Sequence, residues 1–537
     1  MTVKDAGKKY KIVIIGAGAA GLSAANSLVK NGIQDFLILE ARNRIGGRIL
    51  SLDMGSSSKV ELGANWIHGV LGNPIFELAI SHGLIDILQA PQHRRVVALT
   101  EDGKQVPFDI LQEIYEAYLV FLRRCEEYFL AEYVPPDDID SVGQHIRLEI
   151  DLYMKSISDK KDKHLREMIF RCLLKRECCI TGCHNMNEID LLELGSYTEL
   201  QGGNICLPSG YSSILNPLRS SLPPDAVLLN CPVKTIKWKR KKTPVTSPSG
   251  LNEIPEEAEE DEGNDSDRTI TDEPSNSLYD GTVQIVCETN EVFYCDHVIC
   301  TIPLGVLKES PKLFEPALPD YKRDSINNLL FGTVDKIYLE FERPFLCQDI
   351  SEIMLLWEND LQAVGNTESP EQIKEFWFKK IYSFSKINDT LLLGWISGKE
   401  AEFMETLDDK TVSDKCTELL KKFLKDPCIP NPKRCVRTSW KNQPYSQGSY
   451  TSIAVGASQE DIENISQPLY SNPHQSKPSI LFAGEHCSPV YYSTVHGAYL
   501  SGRSAAQILY TPDSPQEILM ENDSSDLSAW IQGIALE

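Results

Sequence analysis

The sequence predicts an α/β protein in which a Rossmann-like dinucleotide-binding domain is interleaved with an α+β domain. Three observations predict it. Residues 11–15 (KIVII) form an apolar, largely β-branched run that leads into Gly16-Ala17-Gly18-Ala19-Ala20-Gly21. A second apolar run, residues 36–39, is closed by Glu40. Near the far end of the chain, Ile480-Leu481-Phe482-Ala483-Gly484-Glu485 precedes Ser493-Thr494-Val495-His496-Gly497-Ala498, and both stretches read as walls of one large ligand site.

The first run suits a buried parallel strand. Gly16 serves a tight turn, Gly18 lets backbone approach a pyrophosphate closely with Ala20 beside it, and Gly21 lets the helix pack closely on the strand. A helix is expected over 19–30, stopped by Asn31-Gly32. Its N-terminal amides would face phosphate, where the helix dipole favours negative charge. Glu40, at the end of the second strand, is placed to bind ribose hydroxyls. Arg42-Asn43-Arg44-Ile45-Gly46-Gly47-Arg48 follows at once. Gly47 would let this second loop approach the pyrophosphate, and Arg42 and Arg48 offer guanidinium forks to phosphate oxygens. The run resembles the extension found in flavin-containing amine oxidases, which favours FAD over NAD.

Further along, helices are expected over 110–133, 163–175 and 412–425, and a strand over 336–341. Residues 227–238 and 282–288 alternate as strands do and are expected to form a hairpin. From its tip would hang an insert, 243–278, with eleven acidic residues and one basic one. Such a segment, rich in proline and serine and poor in apolar residues, is expected to be disordered. The FAD-binding domain would be assembled from 1–90, 205–330 and 433–512, and the substrate-binding domain from 91–204 and 331–432. Residues 513–537 read as a flexible acidic tail.

At 537 residues the chain is too long for one core. Its formal charge is −24, and subtracting the insert's −10 leaves −14. An acidic body disfavours nucleic acid as a ligand and attracts polycations. With no 18-residue apolar run and a polar start, neither a membrane span nor a secretory signal is expected. Fifteen cysteines without a framework suit a reducing compartment. Cys178-Cys179-Ile180-Thr181-Gly182-Cys183-His184 lacks the second half of a zinc pattern, so no metal is expected. The terminal Ala535-Leu536-Glu537 is not a peroxisomal address. The expectation is a cytoplasmic protein, with nuclear entry left open.

Several further motifs resemble those of flavin-containing amine oxidases, and within them the animal polyamine oxidases. They are Gly63-Ala64-Asn65-Trp66-Ile67-His68-Gly69, Pro232-Val233-x-x-Ile236-x-Trp238, Asp296-His297-Val298-Ile299 with Thr301-Ile302-Pro303-Leu304-Gly305, and Gln443-Pro444-Tyr445-x-x-Gly448-Ser449-Tyr450. The resemblance spans about residues 8–512. The acidic insert brings the chain nearest the spermine-oxidising branch. What the resemblance implies is an amine oxidase fold with non-covalent FAD, because Ser449 stands where covalent members have cysteine. Asn65 and Trp66 would lie under the flavin, the Val233 backbone would meet the adenine side, and Trp440 would help enclose the ring. Gly484 and Glu485 would meet the ribityl or pyrophosphate portion, and Thr494 and Val495 would offer main chain to the pyrimidine. Lys336 matches the lysine that holds a water against flavin N5. His68 would bond or deprotonate a substrate nitrogen, Tyr450 would form an aromatic wall, and Thr494 replaces the second tyrosine of an aromatic cage. Glu199 would anchor a distal ammonium, and Tyr492 would line the substrate site.

The implied reaction is oxidation of a secondary amine of spermine by hydride transfer to FAD, giving spermidine, 3-aminopropanal and hydrogen peroxide, with molecular oxygen as the final acceptor. An N1-acetylpolyamine oxidase, an oxidase of other amines, a protein-lysine demethylase and a non-catalytic flavin scaffold stay open as alternatives.

Overall fold

The computed structural model describes residues 8–55, 59–85, 95–239, 282–359, 369–472 and 475–511. The expected insert (243–278) and tail (513–537) lie outside the described residues. The chain begins with strand β1 (Lys9–Ile15), helix α1 (Ala19–Lys30) and strand β2 (Phe36–Leu39), as the N-terminal pattern required. β1 pairs in parallel with β2 on one side and with the strand Val292–Cys300 on the other. Ile12, Val13 and Ile14 are fully buried because helices or hairpins cover both faces of this centre. Each such side chain contributes about 1.5–3 kcal/mol on burial.

The sheet has eight strands. The first half of Val292–Cys300 pairs antiparallel with Val283–Cys287, and the second half pairs in parallel with Ile480–Phe482. Residues 227–238, expected as one strand, are two. Val227–Leu228 extends the parallel edge beside β2, whereas Val233–Lys237 forms the hairpin with Val283–Cys287. The break falls at Asn230, whose φ of 57° is left-handed, a conformation that asparagine tolerates better than most residues.

A second sheet of six strands runs in the order Arg434–Arg437, Val334–Glu340, Leu391–Ser397, Ser383–Asn388, Ile350–Leu356, Arg95–Thr100. One face is covered by Gly398–Glu405 and Asp409–Leu424, and the other by helices that include Phe108–Leu130 and Lys160–Thr181. The helix Val142–Met154 was not among the sequence expectations. Among the described residues, no helix is long and apolar enough to cross a membrane.

Both sheets deliver their ends to one place. β1 ends at Gly16, β2 at Glu40, Val292–Cys300 at Thr301 and Ile480–Phe482 just before Gly484, and all four of these residues line a single cavity of about 1070 Å³. Ligands of open parallel sheets bind at the carboxyl ends of the strands.

Candidate active site

At the sheet end of the cavity the backbone has been cleared for a ligand. A Cβ added at Gly18 would meet nothing within 4 Å. At Gly21, by contrast, a Cβ would lie 1.9 Å from the Gly16 carbonyl oxygen. Gly21 therefore serves close packing of α1 on the turn, and it alone of the residues singled out from the sequence does not line the cavity. Glu40 is buried, and its two carboxylate oxygens accept from the Ala17 amide at 2.8 Å and the Arg42 amide at 2.9 Å. Those bonds fix the carboxylate at the lip where ribose hydroxyls would lie.

The three arginines of the loop each have partners within the protein. Arg44 turns back on its own loop, donating to the Gly47 carbonyl at 2.9 Å. Arg42 donates to Ser446 Oγ at 3.0 Å. Arg48 donates to Glu485 Oε1 at 2.9 Å and to the Ser449 carbonyl at 2.7 Å. Glu485 also accepts from Thr451 Oγ1 at 3.0 Å and from the Ser493 amide at 2.9 Å. Burial works against its charge, but Arg48 and these donors hold its pKa below the ordinary carboxylate value. Glu485 thus clamps three separate segments together. A buried charge needs such partners.

Thr494 caps the helix Val495–Tyr510: its Oγ1 accepts from the Gly497 amide at 2.9 Å and donates to the Tyr491 carbonyl at 2.6 Å. Its hydroxyl is thus engaged in the cap, and Thr494 lines the cavity. Val495 begins that helix and lines the same wall. Trp440 donates its indole N–H to the Leu62 carbonyl at 3.0 Å. Val233, the first residue of its hairpin strand, also lines the cavity.

Lys336 stands on the second strand of the six-stranded sheet, directly paired with Trp395. Its Nζ donates to the carbonyls of Glu61 and Gly63, both at 2.7 Å, and lies 3.3 Å from Asn65 Oδ1 and 4.7 Å from the Trp395 ring centre. Burial brings its pKa down to about 7, with Glu61 pulling the other way. Trp66 stacks on Trp395 with ring centres 5.7 Å apart. His68 Nδ1 donates to Asn204 Oδ1 at 2.9 Å, which leaves Nε2 as an acceptor. Burial lowers the His68 pKa against the opposing hydrogen bond from Asn204 and the charge of Glu199. Tyr450 lines the cavity with its ring and donates its hydroxyl to the Cys179 carbonyl. Tyr492 meets Tyr197 edge to face at 5.6 Å. Glu199 is exposed and also lines the cavity.

The cavity continues across the second sheet. Ser385 pairs with Glu352, and both line it along with Lys336 and Trp395. Glu352 stands three strands across and two residues along from Lys336, about 16 Å at ~4.8 Å per strand and ~3.4 Å per residue. Above this face, the last turns of Lys160–Thr181 contribute Arg176, Glu177 and Ile180. Burial lifts Glu177 to about 7, against the pull of Arg176 and with a push from Glu126. Glu126, Glu177, Asp190, Glu193, Glu199 and Glu352 all line the cavity; only Glu199 had been found from the sequence. The others belong to charged helices and loops where nothing local separates a cavity carboxylate from a solvated one. Trp395 carried a usable signal, as a lone tryptophan in an apolar strand. A lysine and a histidine whose charged forms burial disfavours, aromatic walls and several carboxylates suit a cationic amine that must lose a proton before it reacts.

Comparison with known proteins agrees with this arrangement. The family model described as flavin containing amine oxidoreductase matches residues 19–258 and 249–509. The chain is 33% identical to the peroxisomal N(1)-acetyl-spermine/spermidine oxidase of Bos taurus, over 95% of this chain and 96% of the relative. It is 32% identical to the Homo sapiens protein of that name, over 94% and 96%. A polyamine oxidase 1 of Oryza sativa subsp. japonica is 28% identical over 94% and 97%. The family match over most of the chain and these identities show that the chain belongs to the flavin-containing amine oxidoreductases, with FAD as its cofactor.

Proposed function

We propose that this enzyme oxidises a secondary amine of a free polyamine, with spermine preferred, giving spermidine, 3-aminopropanal and hydrogen peroxide. The carrying observation is the set of carboxylates that share the cavity with Lys336 and His68. A free tetraamine has an ammonium for a distal carboxylate, whereas an acetylated end would leave that carboxylate without its charged partner, at a cost of about 1–3 kcal/mol. We also propose that the β1–α1–β2 unit is a Rossmann-like nucleotide site and that the six-stranded sheet with its helices is the substrate domain.

Bound FAD supplies the hydride acceptor. The chain supplies the rest. His68, whose charged form burial disfavours and whose Nδ1 is engaged with Asn204, takes the proton from the substrate ammonium on Nε2 so that the reacting nitrogen carries a lone pair. Trp66, Trp395 and Tyr450 exclude water and give an amine stem aromatic faces to lie against. Lys336, held by the Glu61 and Gly63 carbonyls and near Asn65 Oδ1, exchanges a proton with a cavity water as it titrates at about 7. Glu177 and Glu199 hold distal ammoniums and so fix which carbon faces the ring.

The names of the animal relatives favour a second reading, N1-acetylpolyamine oxidation. Product analysis after turnover separates the two. Spermidine and 3-aminopropanal from spermine, at a higher kcat/KM than any product from N1-acetylspermine, is the expected result; a higher kcat/KM for the acetylated compound would overturn the preference.

A further inference from the structure

We propose that Cys231 and Cys287 form a modification site: a thiol pair that hydrogen peroxide converts to a reversible disulfide, fixing the cavity wall at its hairpin end. Both are free and buried, and their sulfurs lie 3.1 Å apart, about 1 Å beyond the ~2.05 Å of a disulfide. They come from neighbouring strands. Cys231 precedes Val233–Lys237, and Cys287 ends Val283–Cys287, paired with Val233.

The two thiols differ in access. Cys231 lines the cavity with Pro232 and Val233, whereas Cys287 is fully buried behind it. An oxidant small enough to move through the cavity therefore meets Cys231 first. The Cys231 sulfur attacks peroxide as its proton leaves; an S–O bond forms, the O–O bond breaks, and the released hydroxide takes that proton as water. The Cys287 sulfur then attacks the resulting sulfenic acid; the S–S bond forms, the S–O bond breaks, and a second water leaves with the Cys287 proton. Two thiols lose two electrons, and one peroxide becomes two waters.

The wall that would be fixed is the one beside the nucleotide loop. Cys231 N–H donates to the Glu40 carbonyl and Asn230 N–H to the Arg42 carbonyl, each at 2.9 Å. Residues 230–233 are thus laced to the segment that carries the ribose carboxylate. Tying Cys231 to the hairpin removes the freedom of this wall to swing outward, and cofactor exchange should slow.

The test uses the full-length holoenzyme, reduced with dithiothreitol, desalted, exposed to added hydrogen peroxide and quenched with catalase. Added peroxide makes the outcome independent of any amine substrate. Differential alkylation and peptide mapping should find Cys231 linked to Cys287, with the link removed by dithiothreitol. Flavin release, followed by its fluorescence on dilution, should be several-fold slower after oxidation in the wild type and unchanged by oxidation in Cys287→Ser and Cys287→Ala. Both thiols still alkylated after peroxide, Cys231 linked to another cysteine, or equal slowing in the Cys287 variants would each overturn the proposal. A disulfide that leaves flavin release unchanged would do so as well.

Discussion

Lys336 and Glu177 show how far one residue can be read in isolation. Lys336 was legible only through the family resemblance, because by spacing alone a lysine entering an apolar strand after Gly332-Thr333-Val334-Asp335 reads as a solvated end residue; the structure buries it against two carbonyls. Glu177 was not legible: its helix carries charges on every side, and only the fold shows which one turns inward. Both groups titrate near neutrality, yet they act on different kinetic constants. With a pKa of about 7, Lys336 loses its proton as pH rises through neutrality, so kcat should rise over that range. Lys336→Met should lower kcat and flatten this limb, as read from pH–rate profiles with saturating amine. Glu177, also lifted to about 7, is protonated below that pH and can no longer hold an ammonium. KM for a free polyamine should therefore rise on acidification. Glu177→Gln should raise KM at high pH to roughly its low-pH value and leave it insensitive to pH, a loss of about 1.5–3 kcal/mol for a charge-assisted bond.

At the scale of elements, what succeeded was periodicity with a punctuating residue at each end. β1, α1 and β2 fell within two residues of expectation because a buried run, a glycine turn and an Asn-Gly stop each state one thing. Residues 227–238 were misread as one strand because alternation continues on both sides of Asn230, and the change of partner between the two halves is set by tertiary pairing. Val142–Met154 did carry signals in its Ser141–Gln144 capping box and in Val142, Ile146 and Ile150, although a short helix among charged residues is a weak pattern. The packing of α1 on Val495–Tyr510 was beyond reach, because it depends on a contact between the two ends of the chain. There a Cβ at Gly502 would stand 2.0 Å from the Ala20 carbonyl oxygen, and Ser23 Oγ donates to the Tyr499 carbonyl at 2.7 Å. Backbone must move to admit any side chain. Gly502→Val should destabilise the protein by about 1–3 kcal/mol, read as a lower midpoint in urea, and should weaken FAD retention because both helices begin at the cavity.

The whole molecule adds what neither residues nor elements could state, namely that segments from both chain ends and both sheets close on one space. Glu485 holds Arg48, Thr451 and Ser493 together across this junction. The motifs that carried the flavin reading lie on the nucleotide side, where backbone geometry constrains sequence tightly. The substrate side is built from side chains on helices and strands whose local patterns serve packing, so five of its six carboxylates went unseen. The central claim, that this cavity oxidises free polyamines through its flavin, is tested most directly by mixing the oxygen-free holoenzyme with spermine, spermidine or N1-acetylspermine and following the flavin absorbance. Bleaching by all the amines that are substrates, fastest with spermine, is the expected result. A flavin that stays yellow with every one of them would contradict the claim.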